Sequence, residues 1–186
     1  MIKLKTLVQE VYNANLLENE GNYKIFCDLD GVLVDFDKSV KQLTGGIGFD
    51  EYVKLKGHSE LWKMINSHGS MWWETLPWKE DGKVLWNFLK NKDITILTAG
   101  SRRNTGDIAE KGKKEWCFKN LGADIKVIVT ASSKDKQQHA KPNYILVDDL
   151  ESNIQEWNNA GGTGILHRNS AQSINVLRKI FTNNPV

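Results

Sequence analysis

Cysteine is scarce in this 186-residue chain, long apolar runs are missing, and neither sign of charge dominates. The two cysteines, Cys27 and Cys117, stand 90 positions apart with no CxxC spacing. That excludes a disulfide scaffold and a zinc-finger site and points to two reduced, partly buried thiols. Apolar runs stop at three or four residues, such as Val127-Ile128-Val129, too short to cross a membrane. Near the start, Gln9, Glu10 and Asn13 interrupt what a secretory leader would keep apolar, so the expectation is a soluble, cytoplasmic protein. Lys plus Arg number 25 against 23 Asp plus Glu, a net charge of +2, too little for stable binding to nucleic acid through charge. No internal repeat or low-complexity tract is present. His58, His68, His139 and His167 lack ligand spacing, and each reads as a surface or satisfied core residue.

What is there is an alternation of strand and helix patterns. Short apolar runs occupy 24–29, 93–98, 125–129, 144–148 and 163–167, and helical stretches fall over 83–91, 105–121, 150–159 and 170–181. Near-continuous apolar strands belong to a sheet covered on both faces, which means a parallel one. The prediction is an α/β fold: a three-layer, Rossmann-like core around a five-stranded parallel sheet. Residues 39–76 break the alternation with glycines, Trp72-Trp73 and no clean strand. They read as a small helical cap inserted after the first strand. The domain expectation is a helical extension over 1–21, a core of 22–38 and 77–186, and the cap.

Open parallel sheets bind ligands beyond the carboxyl ends of their strands. There the first strand delivers Asp28 and Asp30, then Gly31. The second delivers Thr98 and Ala99-Gly100-Ser101, and the fourth delivers Asp148 and Asp149. Each piece alone has an ordinary structural reading, as an Asx turn, a helix cap or a charge matched to a helix dipole. For Asp149 the dipole reading weighs about as much as a functional one. Together they place four acids and a hydroxyl on one edge. Several carboxylates sharing a site call for a cation, and all-oxygen ligands select a hard one, Mg²⁺.

Asp28-Leu29-Asp30-Gly31-Val32-Leu33-Val34-Asp35-Phe36 resembles the first motif of the haloacid dehalogenase-like (HAD) phosphohydrolases. Thr98 resembles the second motif, and Ile145-Leu146-Val147-Asp148-Asp149 the fourth. Within that superfamily the chain is most similar to the 5′(3′)-deoxyribonucleotidases. Asp35-Phe36, Trp72-Trp73-Glu74-Thr75-Leu76-Pro77 and Lys113-Lys114-Glu115-Trp116 match that branch over about residues 23–167. The resemblance implies that Asp28 is the nucleophile and Asp30 the general acid and base. It implies a Mg²⁺ site of the Asp28 carboxylate, the Asp30 carbonyl and Asp148, supported by Asp149 from behind. Thr98, the backbone N–H after it and Lys113 would grip the phosphoryl oxygens, with Ala99 and Gly100 in the same loop. Lys113 is preferred to Lys114 because it shares a helix face with Trp116 and Cys117. Lys136 resembles another basic position of this branch and reads equally as surface charge.

The implied activity is Mg²⁺-dependent hydrolysis of a nucleoside monophosphate, with Phe36, Phe49, Trp72 and Trp73 as the aromatics for the base. One of the two tryptophans is expected to be cap core. Thr98-Ala99-Gly100-Ser101 departs from the Thr-Ser-Pro of the mammalian members and lacks a hydroxyl beside the phosphate. Two other readings stay open: a phosphatase for polynucleotide 3′ ends or sugar phosphates, and a catalytically silent nucleotide- or partner-binding module. The oligomeric state, a homodimer included, and the role of residues 1–20 stay open too.

Overall fold

The computed structural model describes residues 23–183; the helical extension expected over 1–21 lies outside them. The chain enters on β1 (Lys24–Cys27), then runs through four helices, α1 (Phe36–Thr44), α2 (Phe49–Lys56), α3 (His58–Ser67) and α4 (Gly69–Glu74). After α5 (Gly82–Leu89) it alternates: β2 (Ile94–Ala99), α6 (Arg102–Thr105), α7 (Ile108–Leu121), β3 (Lys126–Thr130) and a 3₁₀ helix (Ser133–His139). It ends on β4 (Tyr144–Asp148), α8 (Glu151–Asn159), β5 (Thr163–Leu166) and α9 (Ser170–Asn183). The five strands form one parallel sheet in the order β3-β2-β1-β4-β5. This is the α/β architecture expected from the sequence.

Helices cover both faces, and the period of two along each strand shows how. Ile25 and Cys27, Ile96, and Ile145 and Val147 face one way, into a core shared with Leu85, Leu89, Trp116, Leu177 and Phe181. Phe26, Leu97 and Leu146 face the other way, onto Ile154 and Trp157 of α8. Strands apolar on both faces can sit only in the middle layer, because a bare face would leave such side chains in water. No helix among the described residues is long and apolar enough to cross a membrane.

Two details differ from the sequence reading. The single helix expected over 105–121 is broken at Gly106, whose φ of +56° no helix accommodates, leaving the short α6 ahead of α7. The 3₁₀ helix was not anticipated at all. A capping box builds it: the Asp135 carboxylate accepts from Ser132 N–H (2.9 Å) and Ser132 Oγ–H (2.9 Å), and the Ser132 side chain accepts from the Asp135 N–H.

The four helices of 36–74 leave and rejoin the core through a short zipper. Asp35 N–H donates to the Pro77 carbonyl (2.8 Å) and Lys79 N–H to the Leu33 carbonyl (2.8 Å). At the far end α4 lies against α7 at very short range. A Cβ on Gly112 would stand 2.4 Å from both the Ser70 carbonyl oxygen and Trp73 Cβ, so only glycine allows this approach. Trp116 Nε1–H donates to the Leu76 carbonyl (2.8 Å), and Lys119 pairs with Glu74 (3.2 Å).

Candidate active site

Strand register brings the acids together. Cys27 lies beside Val147 in the ladder, so the next residues, Asp28 and Asp148, emerge side by side at the carboxyl edge. Asp28 N–H donates to the Val147 carbonyl (2.9 Å), and Leu29 N–H donates back to Asp28 Oδ1 (2.7 Å), which orients that carboxylate. Asp148 is fully buried, and Leu150 N–H (2.9 Å) and Asn153 Nδ2, at 3.0 Å from each carboxylate oxygen, donate to it. The chain turns sharply at Gly31, φ +77°, directly against Asp149; a Cβ there would lie 2.0 Å from Asp149 Oδ2. Glycine is therefore required both for the backbone and for the space.

Two buried lysines thread between these acids. Lys136, carried in by the 3₁₀ helix, places Nζ 2.9 Å from Asp28 Oδ2 and 2.6 Å from Asp148 Oδ2. Burial alone would lower its pKa, but Asp28 and Asp148 outweigh it and hold the ammonium well above its ordinary range. Lys113, from α7, donates to the Asp30 carboxylate, to Thr98 Oγ1 (3.0 Å) and to the Ala99 carbonyl (2.6 Å). Its Nζ also stands 5.0 Å from the Trp73 ring centroid. Neighbouring Lys114 points to solvent and pairs with Glu110. Desolvation raises the Asp30 pKa above the usual carboxylate range, against the pull of Lys113 and with that of Asp28. Asp30 Oδ1 is buried without a hydrogen-bond partner.

Carboxylate oxygens of Asp28, Asp148 and Asp149 all lie within 4.8 Å of one another. Three carboxylates with one ammonium between them leave a formal charge of −2 in a poorly solvated place. Asp149 is pushed up to about 7, by burial first and then by Asp28 and Asp148. A hard divalent cation is what such an all-oxygen cluster accommodates. Asp149, expected behind Asp148, contributes to the same cluster.

A cavity of about 490 Å³ opens above the acids. Asp28, Asp30, Asp149, Lys113 and Lys136 line it from the core, and Phe36, Phe49, Trp62 and Trp73 from the helical segment. The rings pack on one another: Trp62 and Trp73 are near parallel (16°) with centroids 6.4 Å apart, and Phe36 meets Phe49 at 5.7 Å. Asp37 fixes Phe49 by accepting from its N–H (2.7 Å).

No protein-family signature matches the chain, and no curated protein matches its sequence. Solved structures do match. A hydrolase from Streptococcus pneumoniae TIGR4 superposes with a TM-score of 0.54 at 13% identity, over 83% of this chain and 97% of that one. A HAD-superfamily hydrolase of subfamily IA, variant 1, from Geobacter sulfurreducens PCA gives 0.52 at 13% identity, over 84% and 97%. The chain has the fold of a HAD-superfamily hydrolase.

On this HAD-like core most of the residues expected at the site do meet at one cavity. Four do not line it. Asp148 is fully buried below the wall, beside Asp28 and Asp149 in the acid cluster. Thr98 is fully buried beneath the floor, where its hydroxyl accepts from Lys113. Gly100 is tucked against Val129, and its N–H is taken by the Thr130 carbonyl (2.8 Å), so it has no donor left for a ligand. Trp72 is buried behind Phe36 and Trp73, with its ring edge-on to both. Lys136, for which the sequence left surface charge open, is 2% exposed and central.

Sequence reasoning missed Asn153, Trp62, Lys79 and Ser133, and it placed Ser101 in the loop after β2 without a role. Asn153 sits one helical turn into α8, five positions after Asp148, and that spacing was the only signal for it. Trp62 carried no motif. His167 also departs from the satisfied reading: Nδ1 bonds Ser173 Oγ at 2.8 Å, but buried Nε2 has no partner.

Proposed function

We propose that this chain is a Mg²⁺-dependent phosphomonoesterase that hydrolyses nucleoside monophosphates through an aspartyl-phosphate. The observation that carries the reading is the meeting of Asp28, Asp30, Asp149, Lys113 and Lys136 at one cavity roofed by aromatic rings. Asp28, Asp148 and Asp149 would hold the ion, with the Asp30 carbonyl as a further donor. Bound there, Mg²⁺ offsets the repulsion between a carboxylate nucleophile and a phosphate dianion.

The protein's own groups supply the rest. The Asp28 carboxylate attacks phosphorus; a bond forms from its oxygen to phosphorus while the ester P–O bond breaks. Asp30, favoured in its protonated form by desolvation, gives its proton to the leaving oxygen. It then takes a proton from the water that attacks the acyl-phosphate, returning Asp28 as carboxylate and releasing phosphate. Lys113 steers Asp30 toward that position, and Thr98 holds Lys113. Lys136 keeps the Asp28 and Asp148 carboxylates side by side. Phe36, Phe49, Trp62 and Trp73 offer apolar faces suited to a flat leaving group. In this reading residues 39–76 act as a cap on a core of 22–38 and 77–186.

The test is phosphate release from a panel of ribo- and deoxyribonucleoside monophosphates by wild type and Asp28→Asn, with and without EDTA. Hydrolysis lost on substitution and on chelation is the expected result. Equal release by the two proteins excludes the covalent route, and activity that survives EDTA excludes the metal.

A further inference from the structure

Ser101 lines the cavity with its backbone in the left-handed region, at φ +49°. Among the described residues, only Asn143 shares a positive φ without being glycine. A left-handed conformation strains an L residue with a Cβ, and glycine escapes that strain. The turn itself does not need the serine side chain. It is held by the Ser101 carbonyl, which accepts from the N–H groups of Asn104 (2.7 Å) and Thr105 (3.1 Å). No hydrogen bond joins the Ser101 hydroxyl to another described residue. The chain therefore carries backbone strain at a side chain that the fold does not use, and such strain collects where a ligand is gripped.

The neighbouring donors are already committed. Gly100 N–H goes to the Thr130 carbonyl, and Thr105 Oγ1–H to the Gly100 carbonyl (2.6 Å). Thr98 is fully buried on Lys113. Of the loop that follows β2, Ser101 alone combines a place in the cavity wall with a free hydroxyl.

We propose that Ser101 Oγ–H donates to a non-bridging oxygen of the phosphoryl group that Asp28 attacks. This rests on the phosphomonoesterase reading above and adds a binding residue to it. A hydrogen bond to a charged group contributes about 1.5–3 kcal/mol, so its loss weakens phosphate binding by about tenfold or more.

The test uses the whole chain with Mg²⁺, as wild type, Ser101→Ala and Ser101→Gly. Inorganic phosphate is titrated calorimetrically, p-nitrophenyl phosphate turnover is followed, and thermal melts are recorded. Both variants should bind phosphate about tenfold more weakly. Ser101→Gly alone should melt above wild type, because it releases the strain, whereas Ser101→Ala keeps it. Phosphate affinity within twofold of wild type in both variants overturns the inference while leaving the phosphatase reading standing, provided wild type turns the ester over. A wild type that neither turns it over nor binds phosphate overturns both. A weaker-binding Ser101→Gly that also melts lower than wild type assigns the serine to the fold and overturns the proposal.

Discussion

Lys136 decides how the acids can sit together. Its Nζ is the ammonium that Asp28 and Asp148 share, in a place that excludes bulk water. Removing one member of a buried ion pair costs about 3–5 kcal/mol, because the partner stays behind uncompensated. Lys136→Met should therefore melt well below wild type in metal-free buffer. Mg²⁺ should raise its melting temperature by more than it raises that of wild type, since the net negative charge at the cluster has grown. Calorimetric melts with and without Mg²⁺ check both outcomes. Gly31 is the matching steric case. Gly31→Ala adds a methyl where Asp149 Oδ2 now lies, and adds it at a φ of +77° that disfavours any Cβ. The expected outcome is a protein destabilised by about 1–2 kcal/mol. With Asp149 displaced it should also show a weaker Mg²⁺-induced rise in melting temperature, read by the same melts.

At the scale of elements, the contact between α4 and α7 ties the aromatic wall to the lysine that serves Asp30. Gly112 makes it possible, one residue before Lys113 and directly against Trp73. In an isolated helix Gly112→Ala would stabilise by about 1 kcal/mol. Here the added Cβ meets backbone and a tryptophan stem at 2.4 Å, and neither is a flexible chain end. The expected net effect is destabilising, with α4 pushed outward and the Trp73 ring shifted in the cavity. A lower melting temperature together with an altered near-ultraviolet tryptophan circular dichroism signal checks this. An alanine variant more stable than wild type would show that α4 and α7 are not packed this closely.

For the molecule as a whole, His167 connects the end of β5 to α9 through Ser173, and Asp81 accepts from the first N–H of α9 (2.5 Å). Burial lowers the His167 pKa below its ordinary value of about 6.5, with Asp81 opposing and Lys79 assisting. The native state thus holds the neutral ring, while the unfolded chain takes up a proton as the pH falls. Stability is at its full value above the unfolded pKa and declines as pH drops from about 6.5 through the lower folded value. Melting temperatures of wild type at pH 7.5 and 5.5 should differ by more than those of His167→Gln, which removes the titrating ring. The acid cluster begins on the next strand of the same sheet edge: His167 N–H donates to the Asp148 carbonyl (2.8 Å).

The α/β class was legible from the chain alone because runs such as Ile145-Leu146-Val147 are apolar at every position, and only a sheet covered on both faces buries them. The acids were legible because Asp28 and Asp148 follow such runs directly, and a parallel sheet delivers every strand end to one edge. What those residues touch was decided in three dimensions. Lys136 and Lys134 look alike in a charged stretch, and the Ser132–Asp135 box determines which of them turns inward. Thr98 and Ser101 both carry hydroxyls beyond β2, yet the bond from Gly100 to Thr130 buries the first and leaves the second on the cavity wall. Trp62, Trp73 and Phe36 converge from separate helices, and spacing along the chain holds no record of that meeting. Local pattern reports the period of burial; the pairing of side chains from distant segments depends on register, helix packing and excluded volume, which exist only once the whole chain has folded.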